Sequence, residues 1–131
     1  MTRLCFLVAA VCVVTVVSGC DLFPGKNDAT FVINNNMTAD ANVPDNYKIT
    51  AIQFQGPSDS GFGANMLDEG ETLNPGKSKK FFLDTQGQPG DWQVKITYNL
   101  YVLVVMVPTP DFQNFNDVTA GNTYTWNWTV L

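Results

Sequence analysis

The sequence predicts a small all-β domain, and three observations support this prediction. Runs of β-branched and aromatic residues are separated by Gly, Pro, Asn and Asp, as in strands joined by turns. Several runs alternate apolar and polar residues with a period of two. No segment after the first 28 residues has the 3.6-residue period of an amphipathic helix or a heptad repeat. We therefore expect an antiparallel β-sandwich of about six or seven strands, with a small β-barrel as the alternative.

Three strands are predicted in the first two thirds of the chain. Residues 30–34 form the first, which ends at a run of asparagines that favour a turn. Residues 47–55 form the second, whose imperfect alternation indicates a β-bulge or partial cover on both faces. Residues 78–84 form the third, preceded by a type II turn at residues 74–77. Three lysines between residues 77 and 80 are expected to protect an edge strand from pairing with other chains.

The strongest periodic signal covers residues 92–106, where every second residue is apolar. One unbroken strand of this length would extend about 50 Å at ~3.3 Å per residue. Strands are usually much shorter, so we expect the chain to fold back near residues 98–100. Residues 101–107 are apolar in both phases, which predicts a central strand covered on both faces. Pro108 and Pro110 are expected to end this strand, because proline cannot donate a ladder hydrogen bond.

The last predicted strand alternates cleanly after a turn at residues 120–122. Tyr124, Trp126 and Trp128 share one face, and threonines and an asparagine occupy the other. One face of an antiparallel sheet can be buried while the other is solvated, so the aromatic row is expected in the core. The alternative is an exposed platform on which sugar rings stack.

Three phenylalanines fall in predicted loops and are the candidate ligand-binding residues. They are Phe62, Phe112 and Phe115. Loops at the surface often carry binding residues, and aromatic rings there can stack on a ligand. The alternative is that the three rings close the ends of the sandwich.

Composition argues against several classes of partner. Without Arg3, the chain has six lysines against twelve acidic residues, a side-chain charge of −6. Nucleic-acid binding depends on Lys and Arg neutralising phosphates, so no nucleic-acid partner is expected. A polybasic membrane patch is disfavoured for the same reason.

The sequence predicts no enzyme, metal or cofactor. It contains no histidine, which is the commonest general base and a common metal ligand. The serines therefore lack a base partner. The acidic cluster of Asp68, Glu69 and Glu71 lacks the spacing of a calcium loop and is expected to be solvated. Hydrolysis of a glycoside by paired carboxylates is a remote alternative.

The first 20 residues have the pattern of an export signal. Arg3 supplies a positive charge, residues 4–17 are uncharged and apolar, and the small residues Ser18 and Gly19 precede Cys20. A transmembrane helix is the alternative, but it needs ~20 apolar residues, and this run is shorter.

The block Val17-Ser18-Gly19-Cys20 resembles the lipobox of bacterial lipoproteins. This resemblance implies cleavage before Cys20, a diacylglycerol on its thiol and usually a further acyl chain on its amine. Two or more acyl chains hold a protein stably in a bilayer. The chain would then face the periplasm or exterior of a bacterial cell envelope, bound to a membrane through Cys20. Asp21 is similar to the inner-membrane retention signal of enteric bacteria.

These assignments divide the chain into three parts: residues 1–19 as the signal peptide, residues 20–28 as a lipidated tether and residues 29–131 as the β-sandwich domain. Cys5 and Cys12 lie in the signal peptide, so no disulfide is expected in the mature domain.

A short turn-then-strand segment, residues 67–78, resembles one in many small secreted β-sandwich modules. This resemblance implies architecture and not activity. The expected function is a membrane-anchored, non-catalytic binding or structural module for a protein partner. A glycan-binding module is the alternative.

Overall fold

The computed structural model describes residues 23–130. The predicted signal peptide, Cys20 and Leu131 lie outside the described residues. Within residues 23–130 the chain forms six strands and no helix, so the all-β prediction is confirmed. The strands are β1 (Asp28–Asn35), β2 (Ile49–Gln55), β3 (Ser78–Asp84), β4 (Gly90–Val102), β5 (Val105–Val118) and β6 (Thr123–Trp128).

The six strands form two three-stranded sheets, as expected for a small β-sandwich. One sheet has the order β3-β1-β6, with β1 antiparallel to β3 and parallel to β6. The other has the order β2-β4-β5 and is entirely antiparallel. The sheets face each other across an aromatic core, where the ring centroids of Phe31 and Phe54 lie 5.2 Å apart.

Phe31 of β1 is at the centre of this core. Every second residue of β1 is buried, as the period-two pattern predicts. The Phe31 ring contacts four aromatic rings from both sheets at centroid distances of 5.2 to 5.6 Å: Phe54, Trp92, Phe115 and Tyr124. Such pairs each contribute about 0.5–1.5 kcal/mol beyond simple burial. The cluster therefore joins the two sheets through packing.

The prediction that the aromatic row of the last strand belongs to the core is confirmed. Trp126 and Trp128 are both buried, and Tyr124 packs against the core. The Trp128 ring lies 4.5 Å from that of Tyr98, and its Nε1 donates to Asp111 Oδ2 at 2.9 Å. This bond joins β6 to β5, across the two sheets.

Asn35, the last residue of β1, fixes three segments of the chain. It is 1% exposed. Its Nδ2 donates to the carbonyl oxygens of Tyr47 at 2.8 Å and Leu73 at 2.9 Å, and its Oδ1 accepts from the Met37 backbone N–H at 3.2 Å. A buried amide with such partners replaces strand hydrogen bonds where the sheet ends.

Several local predictions are confirmed. The register of β2 shifts between Ile49 and Ala51, which is the expected irregularity. The turn before β3 has Gly76 at φ 81°, and Lys77 N donates to Asn74 O at 3.0 Å. β3 covers residues 78–84 and is an edge strand, as the lysines indicated.

The prediction for residues 98–107 was wrong. β4 continues to Val102, and the chain reverses at Leu103 and Val104 instead of residues 98–100. Residues 101–107 are not a central strand: they form the outer end of the β4–β5 hairpin and are mostly exposed. A strand covered on both faces and an exposed apolar hairpin end have the same local pattern, so alternation alone does not distinguish them.

The prediction that Pro108 and Pro110 end a strand was also wrong, because β5 continues through both. In a hairpin with a two-residue turn, the two residues on either side of the turn exchange both of their backbone hydrogen bonds. The same pair of bonds recurs at every second cross-strand pair along the hairpin. The observed register places both prolines at the cross-strand pairs that lack these bonds. The backbone nitrogens of such pairs face away from β4. Since β5 is an edge strand, the prolines remove no ladder bond. They remove two donors from the free edge instead.

Candidate functional site

The outer end of the β4–β5 hairpin is an exposed apolar surface, which we call the hairpin tip (residues 101–107). Leu103 is 90% and Val104 82% exposed, the highest values among the large apolar residues that the structure describes. Four neighbours are also exposed: Tyr101, Val102, Val105 and Val107. Contiguous apolar surface of this kind usually marks a site of interaction.

The hairpin tip is uncharged and apolar on both faces. Residues 96–110 contain no Asp, Glu, Lys, Arg or His. Val102 pairs with Val105, and Tyr101 pairs with Met106. Because neighbouring residues of a strand point to opposite faces, these two pairs lie on opposite sides of the hairpin.

The turn of the hairpin is strained at Leu103. This residue has φ 58°, whereas Val104 does not have a positive φ. A positive φ at only the first central residue is typical of a type II′ turn, which favours glycine there. A bulky side chain in such a disfavoured backbone conformation costs on the order of 1–3 kcal/mol. Strain of this kind is often found at functional sites, where the side chain itself is needed.

Replacing Leu103 with Gly is expected to leave the free energy of unfolding unchanged or to raise it by up to about 1 kcal/mol. Glycine removes the steric strain, although its greater freedom in the unfolded chain offsets part of this gain. Val104→Gly is the matched control and should lower stability by about 0.5–1 kcal/mol, since no positive φ is relieved there. Urea unfolding followed by tryptophan fluorescence measures both. A clear loss of stability in Leu103→Gly would show that Leu103 does not strain the turn.

A loop before β2 holds the base of the hairpin tip. The backbone N–H of Tyr47 donates to Asn99 O at 2.8 Å, and that of Asn99 donates to Lys48 O at 2.9 Å. One step nearer the tip, the Tyr101 N–H donates to Oδ1 of the buried Asn46 at 3.0 Å. These bonds satisfy the outer edge of β4 beyond the end of β2, so the base of the tip has a defined position.

Asp40 in turn supports Asn46. Its carboxylate accepts from the backbone N–H groups of Asn42 at 2.9 Å and Val43 at 3.2 Å, and from Asn46 Nδ2 at 3.3 Å. The bond from Asn42, followed by that from Asn46, lowers the pKa of Asp40 below its ordinary value. The ionised form is therefore the one that holds this loop.

Acidification is expected to loosen the base of the hairpin tip. Because the pKa of Asp40 is lowered on folding, its contribution is complete above the unfolded pKa of ~3.9 and is lost as pH falls through the lowered folded pKa. The Tyr101 amide resonance in NMR spectra should be constant from pH 8 to about pH 5 and should shift below about pH 4. Asp40→Asn is the control and should remove this step. A shift centred near neutral pH would contradict the role of Asp40.

The structure brings two of the three candidate phenylalanines together on another surface, which we call the phenylalanine face (Phe62, Lys95 and Phe112). The ring centroids of Phe62 and Phe112 lie 5.9 Å apart, and Lys95 Nζ lies 5.8 Å from the Phe62 centroid. Lys95 pairs with Phe112 across β4 and β5, and Phe112 is 48% exposed. Phe112 thus lies on a strand and not in a loop as predicted.

Phe115 lies apart from the other two. It also belongs to β5 instead of a loop, and it pairs with Trp92 on the inner face of the sheet. Its ring is 5.5 Å from that of Phe31, in the core. Phe112 and Phe115 therefore lie on opposite faces of one sheet and cannot contact one small ligand together.

The acidic 68–71 segment is linked to strand β3 by an ion pair. Glu71 forms an ion pair with Lys79, and the hydrogen bond from Lys79 lowers the pKa of Glu71. Among residues 23–130, no three His, Cys, Asp or Glu side chains are placed to hold a metal ion. The same part of the chain contains no helix long and apolar enough to cross a membrane.

Comparisons of the chain with protein-family models, with curated proteins and with solved structures found no match. The hairpin tip is the first candidate site and the phenylalanine face is the second.

Proposed function

We propose that the protein is a lipid-anchored, non-catalytic module of the bacterial cell envelope that binds a protein partner through its hairpin tip. The observation that carries this proposal is the exposure of Leu103, Val104 and Val105 at the end of a hairpin without charged residues. Removal of apolar surface from water is the dominant favourable contribution to most protein–protein association.

The location of the tip relative to the proposed anchor supports this function. The last residue of β1, Asn35, bonds to Tyr47, which bonds to Asn99 at the base of the tip. The first residue of β1, Asp28, therefore lies at the opposite end of the sandwich. At ~3.3 Å per residue, the tip is roughly 40 Å from the point where the tether joins. A lipid on Cys20 would hold the first end near the bilayer and present the tip away from it.

Charge also favours a protein over a lipid surface as the partner of the tip. The chain after residue 19 has six lysines and twelve acidic residues, and the charged residues at the base of the tip, Asp45 and Lys48, form an ion pair with each other at 2.7 Å. Binding to an anionic bilayer relies on clustered Lys and Arg. The tip instead suits an uncharged surface of a protein.

A glycan-binding module is the second candidate, and the phenylalanine face favours it. Phe62 and Phe112 share their face with amide side chains that can donate and accept hydrogen bonds, among them Gln93, whose Nε2 donates to Asn114 Oδ1 at 2.9 Å. Small-molecule sites are commonly lined by aromatic side chains together with a few polar groups such as Asn and Gln. The tryptophan row is not available for this role, because Trp126 and Trp128 are buried.

Two single substitutions distinguish the two sites. The full chain, with its anchor, is purified from detergent-solubilised envelope as the wild type, as Val104→Asn and as Phe112→Asn. Loss of a co-purifying protein with Val104→Asn and its retention with Phe112→Asn is the expected result. Retention with Val104→Asn would overturn the proposal. Both positions are exposed, so both variants should unfold at the urea concentration of the wild type.

A further inference from the structure

We infer that the hairpin tip inserts into an uncharged apolar cleft of the partner protein, which covers both faces of the hairpin, and that the partner does not add a strand to β5. This inference rests on the proposed function and specifies its mode of binding. Three properties of the tip carry it: the distribution of apolar side chains, the state of the backbone donors and the direction of the tip.

The side chains require cover on two sides. Val102 and Val105 are exposed on one face of the hairpin and Tyr101 on the other, while Leu103 and Val104 project at the end. A flat partner surface would bury one face and leave the other in water. A cleft that admits the whole tip removes both from water, at about 25 cal/mol per Å² of apolar area.

The backbone of the tip is suited to an apolar cleft. An unpaired N–H costs about 1–3 kcal/mol when it is buried away from water. On the outer edge of β4, the Tyr101 N–H is bonded to Asn46 Oδ1. On the outer edge of β5, Pro108 and Pro110 have no N–H, so in residues 105–110 Met106 alone has an outward donor. Few backbone N–H donors are therefore desolvated at the two edges, and the outward carbonyl oxygens of Met106, Pro108 and Pro110 are left to accept from polar donors at the rim of the cleft.

The same edge is unsuited to strand addition. An added strand bonds to a row of outward N–H and C=O groups at every second residue. Two consecutive outward positions of β5, Pro108 and Pro110, lack the donor. Contacts of side chains, and not a new β-ladder, must therefore supply the affinity.

In a domain that stands on its tether end, the direction of the tip favours a protein in front of it over the bilayer or a second copy. The tether from Cys20 to Asn27 spans at most about 28 Å, and the tip lies roughly 40 Å beyond it, at the far end of the sandwich. An upright domain therefore presents the tip away from its own bilayer. Two copies in one bilayer would present their tips in the same direction, so the tips would not meet end to end.

Photocrosslinking from both faces of the tip tests the inference. In the anchored full chain, within the intact envelope, p-benzoylphenylalanine is placed at Tyr101, at Val102 or, as a position control, at Gln88. Gln88 is exposed on the loop between β3 and β4, at the end of the sandwich where β1 begins. Irradiated adducts are separated by mass and identified.

We expect the same protein to be crosslinked from Tyr101 and from Val102 but not from Gln88. The adduct should fall about tenfold or more when Val104→Asn is added, since one well-buried contact contributes about 1.4 kcal/mol or more. The Val104→Asn variant keeps the tether and the fold. A fall in the adduct therefore distinguishes specific insertion of the tip from crosslinking to proteins that are merely nearby.

Four results would overturn the inference: a protein adduct from one face alone, an adduct with lipid, an adduct of twice the chain's own mass, or no adduct. An adduct from one face that still depends on Val104 would overturn insertion and leave the proposed function intact. A partner that binds equally to wild type and Val104→Asn would overturn the proposed function itself.

Discussion

Replacing Asn35 with Leu is expected to lower the free energy of unfolding by about 2 kcal/mol or more. The substitution leaves the Tyr47 carbonyl oxygen without its bond from Asn35 Nδ2 and the Met37 N–H without its acceptor, whereas the Leu73 carbonyl oxygen keeps the bond from the Ile49 N–H at 3.0 Å. Each buried group left unpaired costs about 1–3 kcal/mol, so the sum exceeds that of an ordinary surface change. Leu keeps most of the volume, so that lost packing contributes little.

The neighbouring asparagine provides a matched control. Asn34 points to the other face of β1, where its Nδ2 donates to Asn127 Oδ1 at an exposed position. Asn34→Leu is expected to cost less than about 1 kcal/mol, because water replaces the lost bond. Urea unfolding followed by tryptophan fluorescence compares the two variants. Equal and small losses would show that the Asn35 network does not hold the end of the sandwich.

Replacing Cys20 with Ser is expected to move nearly all of the protein from the membrane fraction to the soluble fraction, or to block its processing. Without the thiol no diacylglycerol can be attached, and each buried CH₂ of an acyl chain contributes about 0.8 kcal/mol to membrane binding. Fractionation of cells followed by intact-mass measurement detects both outcomes.

A second cysteine substitution controls for effects of the export segment. Cys12→Ser changes a residue in the middle of the apolar run and is expected to leave membrane attachment and mature mass unchanged. An unchanged membrane fraction in Cys20→Ser, with no added mass on the wild type, would contradict the proposed anchor.

The parts of the fold that followed from the sequence are those in which side-chain alternation decides the outcome. β1, β3 and β6 each place one phase in the core, so the aromatic residues Phe31, Phe81 and Trp128 could be assigned to the core from spacing alone. The turn at Gly76 followed from its need for a positive φ. These signals are local and do not depend on which strands become neighbours.

The hairpin tip could not be recognised from alternation, because the pattern ends there. A stretch that is apolar in both phases is compatible with a strand buried on both faces and also with the exposed end of a hairpin. Only the length of the neighbouring strands distinguishes the two. β2 begins at Ile49, and residues 101–107 extend past it. The absence of charge over residues 96–110 was visible in the sequence and was the available signal.

The phenylalanine face depended on register, which the sequence does not specify. Phe62 and Phe112 are fifty positions apart and come together because Lys95 pairs with Phe112. The separation of Phe112 from Phe115 was within reach of sequence reasoning. Residues three apart in a strand lie on opposite faces, but the prolines led us to expect a loop.

Binding at the hairpin tip is best measured by the amount of partner protein that the anchored chain retains when it carries Leu103→Gly. This substitution removes the most exposed side chain of the tip while relieving the strain of its positive φ. We expect unchanged or higher stability together with a loss of about tenfold or more in retained partner. Undiminished retention of the partner in this variant would contradict the assignment of binding to the hairpin tip.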